Sequence, residues 1–292
     1  MMNIQKSFDD EVSGKLYIVP TPIGNLEDMT YRALKTLKSV HMIAAEDTRN
    51  TQKLLNHFEF STPLISYHEH NKQSRETELI ERLKQGEAIA LVSDAGMPGI
   101  SDPGHELVQA AIKENLPVVV LPGANAALCA LIGSGLSSDE FIFYGFLPRK
   151  KKDRQEELER LASLQATILL YESPYRIKDT MRAIREQFGN RNIAIARELT
   201  KRFEEYVRGT AEELIAWSEE TELRGEFCLV IEGSQGPSGN VDDMWWSHLS
   251  INDHVEHYIE SENISSKDAI KRVAKERKLS KRDVYQSFHV DK

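Results

Sequence analysis

Cysteine is scarce in this sequence, and long apolar runs are absent. Only two of the 292 residues are cysteine, and Cys129 and Cys228 each lie in an apolar stretch, so we expect buried thiols in a reducing compartment. This scarcity excludes a disulfide framework and a cysteine-based zinc site. The chain has no run of about 18 apolar residues and no signal-peptide core at its start. We therefore expect a cytoplasmic protein without a membrane span.

Several common active-site patterns are also missing. There is no Gly-x-Gly-x-x-Gly dinucleotide turn, no Gly-x-x-x-x-Gly-Lys-Ser/Thr phosphate loop and no Gly-x-Ser-x-Gly nucleophile elbow. The nine histidines show no metal-ligand spacing. His68 and His70 stand two apart on a predicted loop, without a third ligand. These absences argue against dinucleotide-dependent redox chemistry, P-loop hydrolysis, a serine hydrolase and a resident metal ion.

Positive charge is in deficit overall, but not everywhere. The formal net charge is −9, which on its own disfavours a polyanionic partner. From Ile264 to Lys292, however, nine Lys/Arg stand against four Asp/Glu, whereas the first 263 residues carry 28 against 42. Lys150, Lys151 and Lys152 form a second basic cluster. Two compact basic sites favour a polyanionic partner, although each one alone is also compatible with a solvated face.

The sequence does contain an alternation of short apolar runs and amphipathic segments. Between two of the runs, Ser74–Lys84 carries Leu79, Ile80 and Leu83 at helical spacing. Strands that are apolar on both faces and alternate with helices are typical of a parallel α/β sheet. We therefore predict a first α/β lobe over residues 14–146. Its predicted strands are Leu16–Pro20, Met42–Glu46, Ala88–Ser93, Pro117–Pro122 and Phe141–Phe146.

A second α/β lobe is predicted over residues 147–233. It begins with the basic segment Leu147–Arg154, which we expect to be a hinge or an exposed loop. A helix is predicted from about Tyr175 to Phe188. The later connections are short, which favours a mixed sheet. The predicted strands are Ala166–Ser173, Asn192–Leu199, Glu204–Gly209 and Glu226–Gly233.

A small helical extension is predicted over residues 241–292, after the flexible linker Ser234–Asn240. Ser265–Asp268 and Ser280–Asp283 each have the form of a capping box before an amphipathic stretch. Two helices joined by a short turn match a helix-turn-helix in outline. A three-helix cap that only packs is the alternative.

Three glycine- and proline-rich turns follow predicted strands of the first lobe. They are Pro20–Asn25, Ser93–Gly104 and Leu121–Leu128. Ligands of open α/β sheets bind at the carboxyl ends of strands, and exposed amides before a helix suit a ligand carboxylate. Each turn alone is compatible with an ordinary loop, whereas the three together favour a small-molecule site.

Charged residues follow further strands. Ala45–Thr51 places Glu46, Asp47 and Arg49 at a strand end, either as a polar rim facing substrate or as a capped helix start. In the second lobe, Glu172 with Arg176 and Glu198 with Lys201 are either site residues or local ion pairs.

Seven motifs in this order carry a resemblance to a known family. They are PTPIGNLEDMT, AAEDTR, LVSDAGMPGISDPG, LPGANAAL, FYGFLPRKKK, YESPYR and ARELTK. Together they closely resemble the ribosomal RNA small subunit methyltransferase I family, of the tetrapyrrole-methylase fold class, over about Gly14 to Gly233. The helical extension looks like that of the family. Tyr175 stands where the family motif has histidine, so no imidazole is expected to act there.

The resemblance implies an activity, a cofactor and partners. It implies S-adenosylmethionine-dependent 2′-O-methylation of a decoding-region cytidine, position 1402 of 16S rRNA, within the 30S subunit. It also implies a homodimer of two-lobed subunits that bind the cofactor between their lobes, with no metal. The alternatives are a methyltransferase of the same fold that acts on a tetrapyrrole or a protein side chain, and a non-catalytic ribosome-binding factor. A sugar-nucleotide enzyme would rest on the glycine turns alone.

Under this resemblance, three sets of residues are candidates. The catalytic candidates are Glu46, Asp47, Arg49 and Lys201. The cofactor-binding candidates would hold the methionine carboxylate, the sulfonium and the adenosine; they are Pro22, Gly24, Asp94, Ala95, Gly96, Met97, Pro98, Ile100, Ala124, Asn125, Ala126, Tyr144, Phe146 and Leu199. The RNA-contact candidates are Lys150, Lys151, Lys152, Lys271, Arg272, Lys281 and Arg282.

Overall fold

Two five-stranded sheets follow one another along the chain in the computed structural model, which describes residues 4–7, 14–236, 246, 248–262, 264–277 and 279–289. The first sheet has the order β3-β2-β4-β1-β5, and every pairing in it is parallel. Its strands are β1 (Leu16–Ile18), β2 (Met42–Ala45), β3 (Leu64–Ser66), β4 (Ile89–Val92) and β5 (Val118–Val120). The connecting helices are α1 (Tyr31–Ser39), α2 (Thr48–His57), α3 (Lys72–Lys84) and α4 (His105–Lys113).

The central strands of this sheet are buried on both faces, as their apolar runs predict. Every residue of β2 and of β4 is buried. Helices therefore cover both faces of the sheet, and the parallel α/β class is confirmed. The short strand β3 was not predicted, because its three half-buried residues form no apolar run that stands out.

The second sheet is mixed, as predicted, and has the order β6-β7-β10-β8-β9. Only β6 and β7 pair in parallel, and the other neighbours are antiparallel. Its strands are β6 (Phe141–Phe146), β7 (Thr167–Glu172), β8 (Asn192–Arg197), β9 (Glu205–Thr210) and β10 (Phe227–Ile231). The helices of this part are α5 (Ala126–Ser134), α6 (Lys151–Ala162), α7 (Ile177–Phe188) and α8 (Ala211–Glu220).

The strand Phe141–Phe146 was assigned to the first lobe, and the structure places it in the second sheet. Helix α5 also packs on that sheet: Ala130 and Leu131 lie in one apolar cluster with Leu169 and Val230. The physical reason is that an apolar run predicts a strand without saying which sheet it joins. By sheet membership, the second lobe therefore begins before residue 146, while the limits of independently folding domains stay a prediction.

The basic segment Leu147–Arg154 is helical in its second half, rather than a loop throughout. Lys150 occupies the N-cap position of α6 without a side-chain capping bond, and Lys151 and Lys152 begin its first turn. The following sequence, DRQEELERLA, is rich in good helix formers. It also buries Leu158 and Leu161 against the second sheet. The charge of the segment was informative about exposure but not about backbone conformation.

Residues from Gln235 onward form a separate compact unit. Its described helices are α9 (Ile251–Glu262), α10 (Ser266–Glu276) and α11 (Lys281–His289). The N-cap half of both predicted capping boxes is confirmed: Ser265 Oγ accepts from the amide of Asp268 at 3.2 Å, and Ser280 Oγ accepts from that of Asp283 at 3.1 Å. An apolar cluster joins the three helices and includes Val255, Tyr258, Ile270, Val273, Val284 and Phe288. The predicted linker lies outside the described residues from position 237 onward.

Candidate functional site

A cavity of about 410 Å³ lies where strand ends of the two sheets face each other. Parallel strands place their carboxyl ends at one edge, so the loops after β2, β4 and β5 meet there. The second sheet contributes the ends of β6, β7 and β8 and the start of β10. The lining residues are Ile23, Glu46, Asp94, Ala95, Met97, Ile100, Ser101, Asp102, Asn125, Ala126, Phe146, Tyr171, Glu172, Ser173, Pro174, Ala196, Leu199, Glu226, Phe227 and Cys228.

The loop after β4 presents a selected set of backbone amides to the cavity. Gly96 exchanges two hydrogen bonds of 2.9 Å with Thr21, and the amide of Asp94 donates to Glu46 Oε2 at 3.2 Å. The amide of Ile100 donates to the carbonyl of Met97. Within the described chain, the amides of Ala95 and Met97 donate no hydrogen bond, although both residues line the cavity. These two amides can therefore donate hydrogen bonds to a ligand carboxylate.

The cavity is acidic. Its lining includes the carboxylates of Glu46, Asp94, Asp102, Glu172 and Glu226. Glu172 is buried and accepts from Thr180 Oγ1 at 2.7 Å and from the amide of Ser173 at 2.8 Å. Such a lining favours a ligand that carries positive charge.

Asp102 is the most perturbed acid of the cavity. Burial, reinforced by the negative charge of Glu46, raises the pKa of Asp102 to about 7, and a hydrogen bond with Ser93 opposes the rise only partly. A carboxyl group with this pKa can take up a proton near neutral pH. This is the property required of a general base.

An aromatic wall closes the side of the cavity that the second sheet provides. The ring of Tyr171 lies edge-on to Phe143 at 4.9 Å and to Phe146 at 5.7 Å between ring centroids. The Tyr171 hydroxyl accepts from the amide of Ala127 at 3.2 Å. Phe146 is about half exposed and lines the cavity, so its ring is available to an aromatic ligand group.

The turn after β8 brings the second lobe against the first. Leu199 lies between Glu198 and Thr200, which both have positive φ (51° and 66°), a conformation that is uncommon outside glycine. A Cβ added to Gly24 would stand 2.4 Å from Cγ of Lys201, so glycine permits this close approach. Lys201 Nζ bonds to Glu198 and Glu226 at 2.8 Å each.

The three predicted rim residues after β2 have different environments in the structure. Glu46 lines the cavity. Asp47 caps α2 by accepting from the amide of Arg49 at 2.8 Å, and Arg49 also holds the pKa of Asp47 at about 2. The Arg49 side chain is 86% exposed. The helix-capping alternative therefore describes what Asp47 does in this structure.

A known protein family matches most of the part of the chain that contains the two sheets. The sequence profile of the Tetrapyrrole (Corrin/Porphyrin) Methylases matches residues 15–215. Ribosomal RNA small subunit methyltransferase I of Bacillus subtilis is 54% identical over 291 residues, which are 99% of each chain. The protein of the same name from Synechocystis is 47% identical over 94% of this chain and 96% of its own.

The chain belongs to the ribosomal RNA small subunit methyltransferase I family. This confirms the resemblance drawn from the seven motifs. Because the relatives are covered almost end to end, the helical extension is part of what the family members share.

Solved structures of more distant proteins share the fold of this family member over three quarters of its chain. Cobalt precorrin-4 methyltransferase has a TM-score of 0.57 at 18% identity, covering 75% of this chain and 94% of its own. A uroporphyrin-III C-methyltransferase from Thermus thermophilus, complexed with S-adenyl homocysteine, has a TM-score of 0.55 at 17% identity, covering 75% and 97%. The two-lobed tetrapyrrole-methylase fold is confirmed.

The structure brings eight of the fourteen predicted cofactor-binding residues of this family member to the cavity. They are Asp94, Ala95, Met97, Ile100, Asn125, Ala126, Phe146 and Leu199. Pro22, Gly24, Gly96, Pro98, Ala124 and Tyr144 are not among its lining residues. Tyr144 packs with the core of the second lobe and lies near Arg160. Alternation alone would put Tyr144 and Phe146, which are two residues apart, on one face of the sheet. The pairing of β6 with β7 shifts register between Phe143 and Gly145, and this irregularity, which the sequence did not reveal, separates the two side chains. A role in cofactor binding stays a prediction for the whole set.

Sequence reasoning missed several lining residues, of which Asp102 matters most. It lies inside the turn Ser93–Gly104, but the candidate set ended at Ile100. The Asp-Pro-Gly step that ends this turn, Asp102–Gly104, was the available signal. Nothing in the sequence marked Glu226 or Cys228, which reach the cavity because β10 is a central strand of the second sheet.

The predicted RNA-contact residues fall into three environments. Lys150, Lys151 and Lys152 are exposed at the start of α6, with Lys152 near Glu156 at 3.7 Å. In the separate helical unit, three residues line a second cavity: Lys271, Lys281 and Arg282. Arg272 instead pairs with Glu262 at 2.6 Å and Glu276 at 3.2 Å, so it stabilises the helical unit.

Metal and membrane sites are not found in the part of the chain that the structure describes. Within it, no three His, Cys, Asp or Glu side chains are grouped so that they could hold a metal ion. Among the same residues, no helix combines the length and the apolar character needed to cross a bilayer.

Proposed function

We propose that this protein transfers a methyl group from S-adenosylmethionine to the ribose 2′-oxygen of a decoding-region cytidine in 16S rRNA. The observation that carries the proposal is the acidic cavity between the sheets, in a chain whose close relatives are named small subunit rRNA methyltransferases. The cofactor carries a sulfonium, an ammonium and one carboxylate, so its net charge complements this lining.

The lining residues fit the parts of this cofactor. The amides of Ala95 and Met97 would hold the methionine carboxylate. The carboxylates of Glu46 and Asp94 would lie near the positive groups. Phe146 and Tyr171 supply an apolar aromatic wall for the adenine. A cavity of about 410 Å³ is within the usual size of a small-molecule site.

Alignment and proton removal are the two tasks left to the protein. When bound, S-adenosylmethionine supplies the methyl group: a new O–CH₃ bond forms at the ribose as the CH₃–S bond breaks and S-adenosylhomocysteine leaves. The lobes hold the two reactants together, which alone lowers the barrier by several kcal/mol, roughly 7–11 in favourable cases. Asp102 accepts the proton of the 2′-hydroxyl, because its pKa of about 7 leaves much of it ionised at neutral pH.

The predicted rim keeps a supporting part in this proposal. Glu46 lies in the cavity and raises the pKa of Asp102 by its negative charge. Lys201 holds Glu226, a lining residue, in place. Asp47 and Arg49 form an exposed ion pair at the start of α2, where they would meet the substrate rather than the cofactor. We place the reaction in the cytoplasm, on the 30S subunit, by a homodimer.

The test is a methyl-transfer assay with mapping of the product. The protein is incubated with labelled S-adenosylmethionine and 30S subunits that lack the modification, and the labelled ribose is located by nuclease digestion. Label at a single cytidine 2′-oxygen of the decoding region is expected. Label on a base, or on a protein or tetrapyrrole added instead of 30S subunits, would show that the proposed substrate is wrong. Binding to 30S subunits without any methyl transfer would favour a non-catalytic ribosome-binding factor instead.

A further inference from the structure

A second cavity of about 640 Å³ lies within the helical unit, between α10 and α11. We call it the basic groove. Its lining contains four cationic side chains and one carboxylate, with an aromatic side chain and a histidine beside them. The residues are Ser266, Lys267, Asp268, Ile270, Lys271, Lys281, Arg282, Tyr285 and His289.

The helical spacing explains why these residues converge. Lys267 and Lys271 are four apart on α10 and so share one face. On α11, Lys281, Tyr285 and His289 follow one another at the same interval. The opposite faces of both helices are held in the apolar cluster of the unit, through residues such as Val273 and Phe288. The groove is therefore a fixed feature of the packed helices.

The cations of the basic groove are available to a ligand. Within the described residues, no ion pair is formed by Lys267, Lys271, Lys281 or Arg282. The neighbouring Arg272 is different, since two glutamates neutralise it and its guanidinium lies 4.2 Å above the ring of Tyr258. The one lining carboxylate, Asp268, is occupied by the Ser265 hydroxyl at 2.6 Å. Arg272 is thus neutralised by ion pairs within the helical unit, whereas the four cations that line the basic groove are not.

The aromatic ring decides what kind of polyanion fits. Tyr285 is 55% exposed, and its ring centroid lies 4.6 Å from that of His289. Cations that track a backbone together with an exposed ring are the combination found in proteins that bind single-stranded nucleic acid. A duplex hides the faces of its bases and leaves such a ring without use.

We propose that the basic groove binds an unpaired segment of small subunit rRNA, with phosphates on Lys267, Lys271, Lys281 and Arg282 and one base against Tyr285. This deepens the proposed function and rests on its RNA substrate. The groove would act in substrate binding, whereas the cavity between the sheets performs the transfer.

The test measures binding of the full-length protein to labelled RNA by fluorescence anisotropy over a range of salt. The probes are an unstructured oligocytidylate and a blunt hairpin of equal charge. Lys271→Ala/Lys281→Ala removes two cations of the groove, and Lys35→Ala/Lys113→Ala removes two exposed lysines of the first unit as the matched control. The groove variant should lower the slope of log K against log salt by about 1.4 for the single strand. An unchanged slope, or one equal to that of the control, overturns the proposal.

The stacking part is tested with Tyr285. Tyr285→Ala should weaken binding of the oligocytidylate by roughly tenfold or more, and Tyr285→Phe should retain it, because the phenyl ring still stacks. Equal loss in both variants, no loss in either, or tighter binding of the hairpin than of the single strand would overturn the assignment to an unpaired segment.

Failure of the groove is distinguishable from failure of the proposed function. Cofactor binding by calorimetry and methylation of 30S subunits are measured on the same variants. If wild type methylates rRNA while the groove variants bind RNA like wild type, the groove proposal is wrong and the function stands. If wild type methylates no rRNA while the groove variants lose RNA binding, the proposed function is wrong and the groove proposal stands.

Discussion

Asp102→Asn is the substitution that examines the proposed chemistry most directly. Asparagine keeps the shape of the side chain but cannot accept the proton of the 2′-hydroxyl. Removing a general base typically costs 10²- to 10⁴-fold in rate, so kcat should fall by about that factor while the affinity for cofactor stays near wild type. In the wild type, a pKa of about 7 predicts that kcat falls about tenfold per pH unit on the acid side of neutrality.

The raised pKa of Asp102 also predicts how the stability of the protein depends on pH. Removing this carboxyl group should slow the reaction but stabilise the fold. Folding raises the pKa of Asp102 from 3.8 to about 7, so the folded protein holds a proton that the unfolded chain has released between these values. Stability is therefore lost as pH rises through this window, and the full cost is present above pH 7. Three pKa units correspond to about 4 kcal/mol, and partial solvent contact reduces this to roughly 2 kcal/mol.

Asp102→Asn should consequently be the more stable protein at alkaline pH and the slower enzyme at neutral and alkaline pH, and the difference in rate should narrow as pH falls. Urea unfolding at about pH 8 should show a gain of roughly 2 kcal/mol that disappears near pH 4, alongside methyl transfer measured from about pH 5 to 9. Asp139→Asn, at an exposed position outside the cavity, is the matched control. Wild-type kcat in the Asp102 variant, or an acid limb that survives the substitution, would refute the assignment of the base.

Three further outcomes follow from the structure. Phe146→Ala should raise the Kd for S-adenosylmethionine by roughly tenfold, since one aromatic face of the cavity is removed; an unchanged calorimetric Kd would place the adenine elsewhere. Leu229→Ala, in the fully buried middle of β10, should lower the free energy of unfolding by about 2–5 kcal/mol in urea titrations, whereas Leu279→Ala at a 40% exposed site should change it by much less. The expectation of a buried thiol is confirmed for Cys228 and wrong for Cys129, which is exposed because it lies on the outer face of α5. Since burial also raises the pKa of Cys228 to about 12, a thiol reagent at neutral pH should label one cysteine in the folded protein and two after unfolding.

Much of the fold was predictable because it depends on local patterns. Runs such as that of β4 are apolar on both faces, and this alone indicates a covered parallel sheet. The caps at Ser265 and Ser280 are set by spacing of three residues, which is visible in any sequence. The spacing of four residues between Arg272 and Glu276 was equally visible and predicts their ion pair. This pair distinguishes Arg272, which stabilises the helical unit, from Lys271, which is available to a ligand.

The rest depends on contacts between distant segments. No local pattern states that Phe141–Phe146 pairs with β7 rather than with the first sheet. The glycine turn after β4 predicted exposed amides, but only the fold shows that Thr21 occupies that of Gly96 and leaves those of Ala95 and Met97. The pKa of Asp102 is likewise a property of burial and of Glu46 nearby, so its candidacy as a base was beyond the reach of the sequence.

The strand order of the second sheet has a consequence for synthesis of the protein. The first sheet has all its strands once Val120 has been translated, whereas β10, the last strand of the unit in the chain, lies between β7 and β8. Until Phe227–Ile231 emerges, β6-β7 and β8-β9 are two separate ribbons with open edges, which are exposed to wrong pairing. Because β10 also supplies Phe227 and Cys228 to the cavity, cofactor binding cannot begin on a partly made chain. A truncated product that ends before Ile231 should therefore be inactive and prone to aggregate.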